Sequence, residues 1–304
     1  MSSTPAVPSR RPDPGTSTGP GGLTTELLRQ HPVLTRLGEL FAEQGHEIAL
    51  VGGPVRDALL GRPVNDLDLA TSARPEQIEQ AVQGWADAVW DVGREFGTIG
   101  LRKGDDQIEI TTYRSDAYDN GSRKPVVAFG DTLVGDLSRR DFTVNAMAVV
   151  LATAELVDPY DGRTALAEGR LTTPVTAEQS FDDDPLRMMR AARFVAQLGF
   201  EADHDVVAAM TRLADRLDIV SAERVRDELD KTLCAADPVA GLRLLVETGL
   251  ADRVLPELPA LRLTDDEHHR HKDVYEHSLT VLEQAIALED RLDAQPDLVI
   301  RLAA

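Results

Sequence analysis

Apolar positions recur at helical spacing in two parts of the chain. Near the N-terminus, Leu27, Leu34, Leu37 and Phe41 follow this period and predict one helix over residues 25–45. From residue 174 onward the same period dominates and predicts five helices, over residues 184–199, 203–216, 221–234, 238–249 and 274–290. The second half of the chain is therefore expected to be helical throughout.

Shorter apolar runs between these helical parts predict strands. Residues 48–51 form an apolar run that ends at Gly52-Gly53, whereas residues 64–70 and 107–113 alternate in character. The polar segment 116–130 contains glycine and proline and predicts a mobile loop. Together these patterns predict an α+β protein, with a mixed-sheet head followed by an all-α part.

Composition excludes several classes of protein. A hydrophobic content of 42% is enough to build a core, so a wholly disordered chain is excluded. No apolar run approaches the roughly 18 residues of a membrane span, and residues 1–22, rich in Ser, Thr, Pro and Gly, lack the apolar stretch of a signal peptide. The single Cys234 cannot form an internal disulfide, which favours a reducing, cytoplasmic location.

The charge balance is strongly acidic, with a formal net charge of −20. This excludes a non-specific coat for nucleic acid but not an enzyme whose arginines gather in one cleft. Only four of the 32 basic residues are lysines. The predominance of arginine favours bidentate contacts to planar or phosphate groups.

Two aspartates two residues apart carry the first candidate chemistry. Asp66 and Asp68 share one face of the predicted strand, while Leu67 and Leu69 face the core. Adjacent carboxylates repel unless a cation lies between them, and oxygen ligands suit Mg²⁺. Such a pair alone is more often a solvated strand edge, so the neighbouring segments decide between a metal site and an ordinary surface.

A glycine corner and a third acid supply that context. Gly52-Gly53 precedes Pro54, where a helix can begin, and the free N–H groups of such a corner can donate hydrogen bonds to a phosphate. Glu109 alternates with isoleucines on a second predicted strand and can add a third carboxylate. The alternative for Glu109 is an edge glutamate with a basic partner.

Two arginine-rich segments follow. Arg139-Arg140 precedes a long apolar run, which favours contact with a nucleotide over a surface ion pair. In the second segment Asp184 is the expected N-cap of a helix that begins at Pro185. On that helix Arg187, Arg190 and Arg193 recur every third residue. They form either a stripe that binds a ligand or a face exposed to solvent.

Four segments together resemble the class II tRNA nucleotidyltransferases, or CCA-adding enzymes, and the related bacterial poly(A) polymerases. They are GGPVRDALLGRPVNDLDLAT, IEITTYRSD, RRDFTVNAMAV and DDPLRMMRAARF. The resemblance covers roughly residues 24–260. It implies a polymerase-β-like nucleotidyltransferase head, followed by helical neck and body domains that bind tRNA.

The resemblance also implies roles for individual residues. Asp66 and Asp68 would be catalytic and hold the metal, which is Mg²⁺, and Glu109 would be the third catalytic carboxylate. The nucleotide would be bound by Gly53, Arg56, Arg140, Asp184, Arg187, Arg190 and Arg193. The substrates implied are CTP, ATP and the 3′ end of tRNA, with no membrane and no protein partner.

Among these residues, Asp184 and Arg187 would read the incoming base. A carboxylate accepts from the exocyclic amine of C or A, and arginine donates to their ring acceptors, whereas G and U present an oxygen instead. Arg224, after the expected N-cap Ser221, would support this pair, although a capping box with ion pairs explains that segment equally well. Asp119 and Arg123 resemble the loop pattern that accompanies the switch from C to A.

The C-terminal histidines resemble a different kind of site. His268, His269, His271 and His277 look like the opening helix of an HD-type phosphohydrolase, whose later His-Asp pair is not reached. We therefore expect a tail over residues 1–22, a head over 23–165, a neck and body over 166–262, and the start of an incomplete HD domain over 263–304. The alternatives to CCA addition are a poly(A) polymerase and an HD-type phosphohydrolase fragment.

Overall fold

A computed structural model of the protein describes residues 20–64, 66–117, 126–130, 132–263, 274–291 and 295–304. Within these residues a main sheet of seven strands has the order β3-β4-β5-β2-β1-β8-β9. Two small sheets pair β6 with β7 and β10 with β11. The strands are β1 Ile48–Val51, β2 Leu67–Thr71, β3 Ala88–Gly93, β4 Thr98–Lys103, β5 Asp106–Thr112, β6 Arg114–Ala117, β7 Val126–Phe129, β8 Ala148–Val150, β9 Glu155–Val157, β10 Arg170–Leu171 and β11 Glu201–Ala202.

Helices surround the sheet and then make up the rest of the chain. Those of the head are α1 Pro20–Gln30, α2 Pro32–Glu43, α3 Gly53–Leu59, α4 Pro75–Val82, α5 Leu133–Ser138 and α6 Gly162–Glu168. Those that follow are α7 Ala177–Asp183, α8 Leu186–Leu198, α9 His204–Arg212, α10 Ala222–Leu233, α11 Pro238–Glu247, α12 Ala251–Val254, α13 Glu257–Ala260, α14 Val274–Arg291 and α15 Leu298–Ala303. The predicted α+β class with a helical second half is confirmed, and all five predicted C-terminal helices are present.

The prediction of one N-terminal helix over 25–45 is wrong. The structure has two helices, α1 and α2, which meet at His31-Pro32. His31 has φ −121° and ψ 77°, because a residue before proline is pushed out of the helical region. The first helix also begins at Pro20, inside the segment expected to be a tail.

The segment predicted as a loop over 116–130 contains strand structure at both ends. Strands β6 and β7 pair antiparallel, from Arg114 opposite Phe129 to Ala117 opposite Val126. The β-branched pair at 126–127 is typical of strands and was a signal for this pairing. Asp119 and Arg123 lie outside the described residues.

The two faces of the main sheet are covered differently. One face packs on α2 and α4, through a core that includes Leu69, Ile99, Leu101, Ile108 and Ile110. The other face packs on α5 only near β1, β2 and β8. Toward β5, β4 and β3 this second face carries exposed side chains, and we call that region the open face.

The helical part has a core of its own, built mainly on α8. Its buried members come from α7, α8, α9, α10 and α11, and also from Phe142 and Val144 of the head. Tyr275, Leu279 and Leu282 of α14 belong to the same core. Arg301 of α15 is buried and donates from Nη1 to the carbonyls of Leu233 and Ala235, each at 2.7 Å. The described parts of residues 263–304 therefore pack as part of the body.

Candidate functional site

The acidic residues meet on the open face of two parallel strands. Strands β2 and β5 pair with Asp68 directly opposite Glu109. Both side chains are exposed, while Leu67, Leu69, Ile108 and Ile110 are buried beneath them. The sequence placed these two acids on neighbouring strands, and the register brings them side by side.

Asp66 is placed differently from the expectation. The predicted strand over 64–70 begins only at Leu67, where the ladder to Ile108 begins, so Asp66 precedes the strand. It is exposed. Its charge still acts on Asp68, as the pKa of Asp68 shows.

The pKa of the Asp68 carboxyl is raised above its ordinary value. Partial burial among protein atoms is the main cause, although the side chain reaches solvent. The negative charges of Glu109 and Asp66 act in the same direction, and the Arg140 guanidinium opposes them. The three acids thus form one electrostatic cluster, and a cation among them would relieve their repulsion.

The glycine corner lies beside this cluster. Gly52, after β1, has φ +76°, a backbone conformation that favours glycine. A Cβ on Gly52 would lie 2.9 Å from Nη1 of Arg140. Gly53 follows as the first residue of α3, one residue before Pro54, where the sequence predicted the helix to begin. Only glycine at position 52 leaves the Arg140 guanidinium room against the corner.

Arg140 is held from behind by a buried aspartate. Its Nη2 donates to Oδ2 of Asp136 at 3.0 Å, and Asp136 is 1% exposed. Burial acts to raise the pKa of Asp136, but the charges of Arg140 and Arg139 outweigh it and lower that pKa. Nε of Arg140 is buried and has no hydrogen-bond partner among the described residues. Arg140 therefore has an unpaired donor at Nε, while its Nη1 lies against the glycine corner.

Arg56 is less accessible than its predicted role suggests. It is buried, and donates to both carboxylate oxygens of Asp57 at 2.9 and 3.0 Å. Its Nη1 donates to Oδ1 of Asn145 at 2.8 Å, and its guanidinium lies 5.3 Å from the centre of the Phe194 ring. Three of its five N–H groups are thus engaged within the protein.

Asp184 lies two residues before helix α8, which begins at Leu186 and not at the predicted Pro185, so that Pro185 and not Asp184 is the N-cap residue. The Oδ1 of Asp184 still accepts from the backbone N–H of Leu186 at 3.2 Å, at the first residue of the helix. Its Oδ2 accepts from Nη2 of Arg224 on α10 at 3.4 Å. The structure thus joins Arg224 to Asp184, which are 40 residues apart in the chain.

Arg187 is buried in the same region. Its Nη1 donates to the hydroxyl of Ser180 at 2.9 Å, and its Nη2 donates to the backbone carbonyl of Arg139. The side chain therefore ties α8 to α7 and to the residue that precedes Arg140. Its guanidinium therefore lies at the junction between the head and the helical part.

Arg190 and Arg193 form ion pairs inside the protein. Arg190 donates to Oδ2 of Asp141 from Nε at 2.8 Å and from Nη2 at 2.5 Å. Arg193 donates from Nε to Oε2 of Glu228 at 2.6 Å, and its guanidinium lies 4.2 Å from the centre of the Phe194 ring. The three arginines do not form one uniform stripe, because Arg187 bonds to Ser180 and Arg139, whereas Arg190 and Arg193 share the carboxylate of Glu228.

Sequence reasoning missed the residues that hold these arginines. Asp136, Asp141, Asn145 and Glu228 are all buried and all accept from, or pair with, an arginine of the site. Each lies inside an apolar or motif segment, where a buried charge requires a partner. That signal was present in the sequence, but the identity of the partners was not.

The histidine cluster gives no site in the structure. His268, His269 and His271 lie outside the described residues, and His277 lies in α14. In the described part of the chain no three His, Cys, Asp or Glu side chains are arranged to hold a metal by themselves. No helix in those same residues is long and apolar enough to cross a membrane.

A mixed sheet with acids on two neighbouring strands, beside a glycine corner, defines a nucleotidyltransferase fold. The chain matches the family model of the poly A polymerase head domain over residues 48–172. It also matches a probable RNA and SrmB-binding site of polymerase A over residues 199–261. These two matches cover the sheet with its corner and helices α9 to α13 of the helical part.

Individual proteins agree with the family models. The chain is 41% identical over 240 residues to the CCA-adding enzyme of Lactococcus lactis subsp. lactis, covering 78% of this chain and 58% of that protein. It is 38% identical over 229 residues to the CCA-adding enzyme of Lactiplantibacillus plantarum, covering 75% of this chain and 55% of that protein. The structure of the Bacillus stearothermophilus CCA-adding enzyme, solved in complex with CTP, is similar to this protein with a TM-score of 0.65 and 37% identity. The match covers 74% of this chain and 53% of that protein.

The chain belongs to the family of class II tRNA nucleotidyltransferases and bacterial poly(A) polymerases. The resemblance found in the sequence motifs is thereby confirmed, as is the polymerase-β-like fold of the head. The chain spans a little more than half the length of the curated relatives it matches.

Proposed function

We propose that the protein adds C, C and A to the 3′ end of tRNA, using CTP and ATP. The observation that carries this proposal is the in-register pairing of Asp68 with Glu109, within reach of the charges of Asp66 and Arg140. The relatives named as CCA-adding enzymes support the same activity.

The acidic cluster fits Mg²⁺. Its donors are carboxylate oxygens only, and Mg²⁺ is usually held by one or two carboxylates together with substrate phosphates. Asp66 and Asp68 would hold the metal, with Glu109 as the third carboxylate. When bound, such ions activate an attacking hydroxyl and stabilise a leaving pyrophosphate.

The remaining residues bind and orient the nucleotide. Arg140 lies against the corner through Nη1, has an unpaired Nε–H, and is assigned to the triphosphate or ribose. Gly52 and Gly53 allow the phosphates to approach the backbone closely. Asp184 and Arg187, at the start of α8, are assigned to the edge of the incoming base, which favours C and A over G and U.

We assign Arg56, Arg190 and Arg193 a positioning role rather than direct contact with the nucleotide. Their guanidinium groups are engaged by Asn145, Asp141 and Glu228. A head over residues 23–165 would then supply the acids, and a neck and body over 166–262 would supply the base-reading helix and bind tRNA.

Nucleotide incorporation into tRNA that lacks its 3′ CCA tests the proposal. The protein is supplied with Mg²⁺ and with one labelled nucleotide at a time, then with CTP and ATP together. We expect CTP alone to add two C residues to the tRNA. ATP should add one A only when both C residues are already in place. A long tail from ATP alone would instead identify a poly(A) polymerase.

Asp68→Asn should abolish incorporation, whereas Glu155→Gln, an exposed acid on the far edge strand β9, should leave it unchanged. Incorporation by Asp68→Asn at the wild-type rate would refute the assignment of the acidic cluster.

Arg187→Ala tests how the base is read. Loss of donors to a buried partner costs about 1–3 kcal/mol, so preference for C over U should fall by about one to two powers of ten. Single-turnover incorporation of all four nucleotides measures this preference. Unchanged discrimination would show that Arg187 acts only through Ser180 and Arg139.

A further inference from the structure

An exposed tryptophan lies on the open face, in line with the acidic cluster. Trp90 is in β3, the edge strand of the sheet, and is 40% exposed. Its register partner on β4 is Gly100, the partner of Gly100 on β5 is Glu109, and the partner of Glu109 on β2 is Asp68. These four positions form one row across four strands, all on the same face.

The missing side chain at position 100 lets the indole lie on the sheet. A Cβ on Gly100 would be 2.5 Å from Nε1 and 2.6 Å from Cε2 of Trp90. It would also be 2.6 Å from a methyl group of Val92, which is exposed on the same side. The indole therefore crosses β4 toward Glu109 and exposes its outer surface to solvent.

The row has a length that suits a short piece of single-stranded nucleic acid. Neighbouring strands are about 4.8 Å apart, so the backbone of Trp90 is roughly 10 Å from that of Glu109 and roughly 14 Å from that of Asp68. Stacked bases are about 3.4 Å apart along a strand. A base on Trp90 would thus be about three nucleotides behind a 3′ end at the carboxylates.

The other side of the acidic cluster is assigned to the nucleotide. Gly52, Arg140 and the start of α8 all lie toward β1, on the side of Asp68 away from β5. The attacking hydroxyl must come in line with the leaving pyrophosphate. The open face over β5, β4 and β3 is the side of the cluster that these nucleotide-binding groups leave uncovered, and it is the approach that we consider for the RNA strand.

A positive charge accompanies the tryptophan on this path. Arg102 is exposed and lies two residues from Gly100 on β4, hence on the same face. Its neighbours across the ladder are Ala88 on β3 and Gln107 on β5. An arginine next to an exposed ring is the combination that holds single-stranded RNA, through a phosphate and a stacked base.

We propose that Trp90 and Arg102 form a binding site for the single-stranded 3′ end of the RNA substrate, about three nucleotides behind the reacting hydroxyl. The proposal rests on the proposed function and adds how the RNA strand is held on the side away from the incoming nucleotide. Trp90 stacks on one base, and Arg102 binds a neighbouring phosphate.

Tryptophan fluorescence tests this site without any need for catalysis. The protein has two tryptophans, Trp85 and Trp90, so Trp85→Phe leaves Trp90 as the only emitter. We expect saturable quenching by an RNA hairpin with a three-nucleotide single-stranded 3′ tail, and none by the same hairpin with a blunt end. Equal responses to both hairpins, or none to either, would overturn the proposal.

Kinetics with the full chain provide the second test. Trp90→Ala should raise the KM for tRNA about tenfold and leave the KM for CTP unchanged, and Trp90→Phe should restore most of the loss. Val89→Ala is the matched control, because Val89 is 43% exposed on the opposite face of the same strand.

The kinetic outcomes separate this proposal from the proposed function. If the wild type adds C and A but Trp90→Ala has an unchanged KM for tRNA, the RNA site is refuted and the function stands. If Trp90→Ala lowers only the melting temperature, Trp90 merely covers the sheet edge, which also refutes the site. If the wild type adds no nucleotide yet the tailed hairpin quenches Trp90, the function fails and the RNA site stands.

Discussion

Arg190 of α8 donates two hydrogen bonds to a single carboxylate oxygen of Asp141, across the junction between the head and the helical part. The other oxygen, Oδ1, accepts from Nδ2 of Asn145 at 3.0 Å, and Asn145 in turn accepts from Arg56. A chain of hydrogen bonds therefore links the helix that follows the glycine corner to α8. Its members set where α8 lies relative to the acidic cluster.

Asp141→Ala should lower the free energy of unfolding by about 2–4 kcal/mol. Removing one partner of a buried ion pair leaves the other uncompensated, but Arg190 is partly exposed and keeps Glu228 at 3.8 Å. Urea unfolding measures the loss. Asp230→Ala breaks an exposed pair with Arg226 and should cost less than about 0.5 kcal/mol. Equal losses in the two variants would contradict a structural role for Asp141.

Acid should weaken the fold partly through Asp141. Burial acts to raise the pKa of this carboxyl, but the Arg190 charge and three hydrogen bonds outweigh it and hold the pKa below the ordinary 3.8. Between these two pKa values the unfolded chain binds more protons, so the stabilisation is complete above about pH 5 and is lost as the pH falls. The stability difference between wild type and Asp141→Asn should therefore be largest near pH 7 and shrink below about pH 4. A difference that grows toward low pH would contradict the sign of this shift.

Gly52→Ala should impair catalysis by displacing Arg140. The new Cβ would be 2.9 Å from Nη1 of Arg140, and loss of one charge-assisted contact of about 1.5–3 kcal/mol corresponds to a roughly 10- to 150-fold slower addition. Steady-state incorporation of CTP measures this loss.

Gly45→Ala is the matched control for Gly52→Ala. Gly45 has φ +77°, almost the same as Gly52, but a Cβ there has nothing within 4 Å. Both variants should lose about 1–2 kcal/mol of stability from backbone strain, and only Gly52→Ala should lose activity. Equal activities would show that the Arg140 contact is dispensable.

Arg224→Ala should weaken base selection moderately. Arg224 donates to Asp184 at 3.4 Å in an exposed pair, worth about 0.2–1 kcal/mol, so the KM for CTP should rise up to about fivefold. Preference for C over U should fall by a similar factor. Arg226→Ala, two residues further along α10, removes an exposed arginine that has no contact with Asp184 and should match the wild type. If both variants behave alike, Arg224 does not orient Asp184.

Helix positions and short motifs could be predicted from the sequence, because both depend on residues that are close together in the chain. Apolar spacing predicted α8, α10, α11 and α14 to within a few residues, because a buried helix face repeats along the chain. The acids of β2 and β5 and the glycine corner were likewise visible as motifs. Pro32 and the β-branched pair at 126–127 were also visible signals, although the predicted single helix and loop did not use them.

Which partners the charged residues take depends on the long-range packing of the chain. Arg190 and Asp141 are 49 residues apart, and Arg193 and Glu228 are 35 apart, so no local pattern could pair them. The row from Trp90 to Asp68 likewise depends on the order and register of four strands. A side chain's identity fixes which contacts it can make, but the long-range packing of the chain selects the contact that forms.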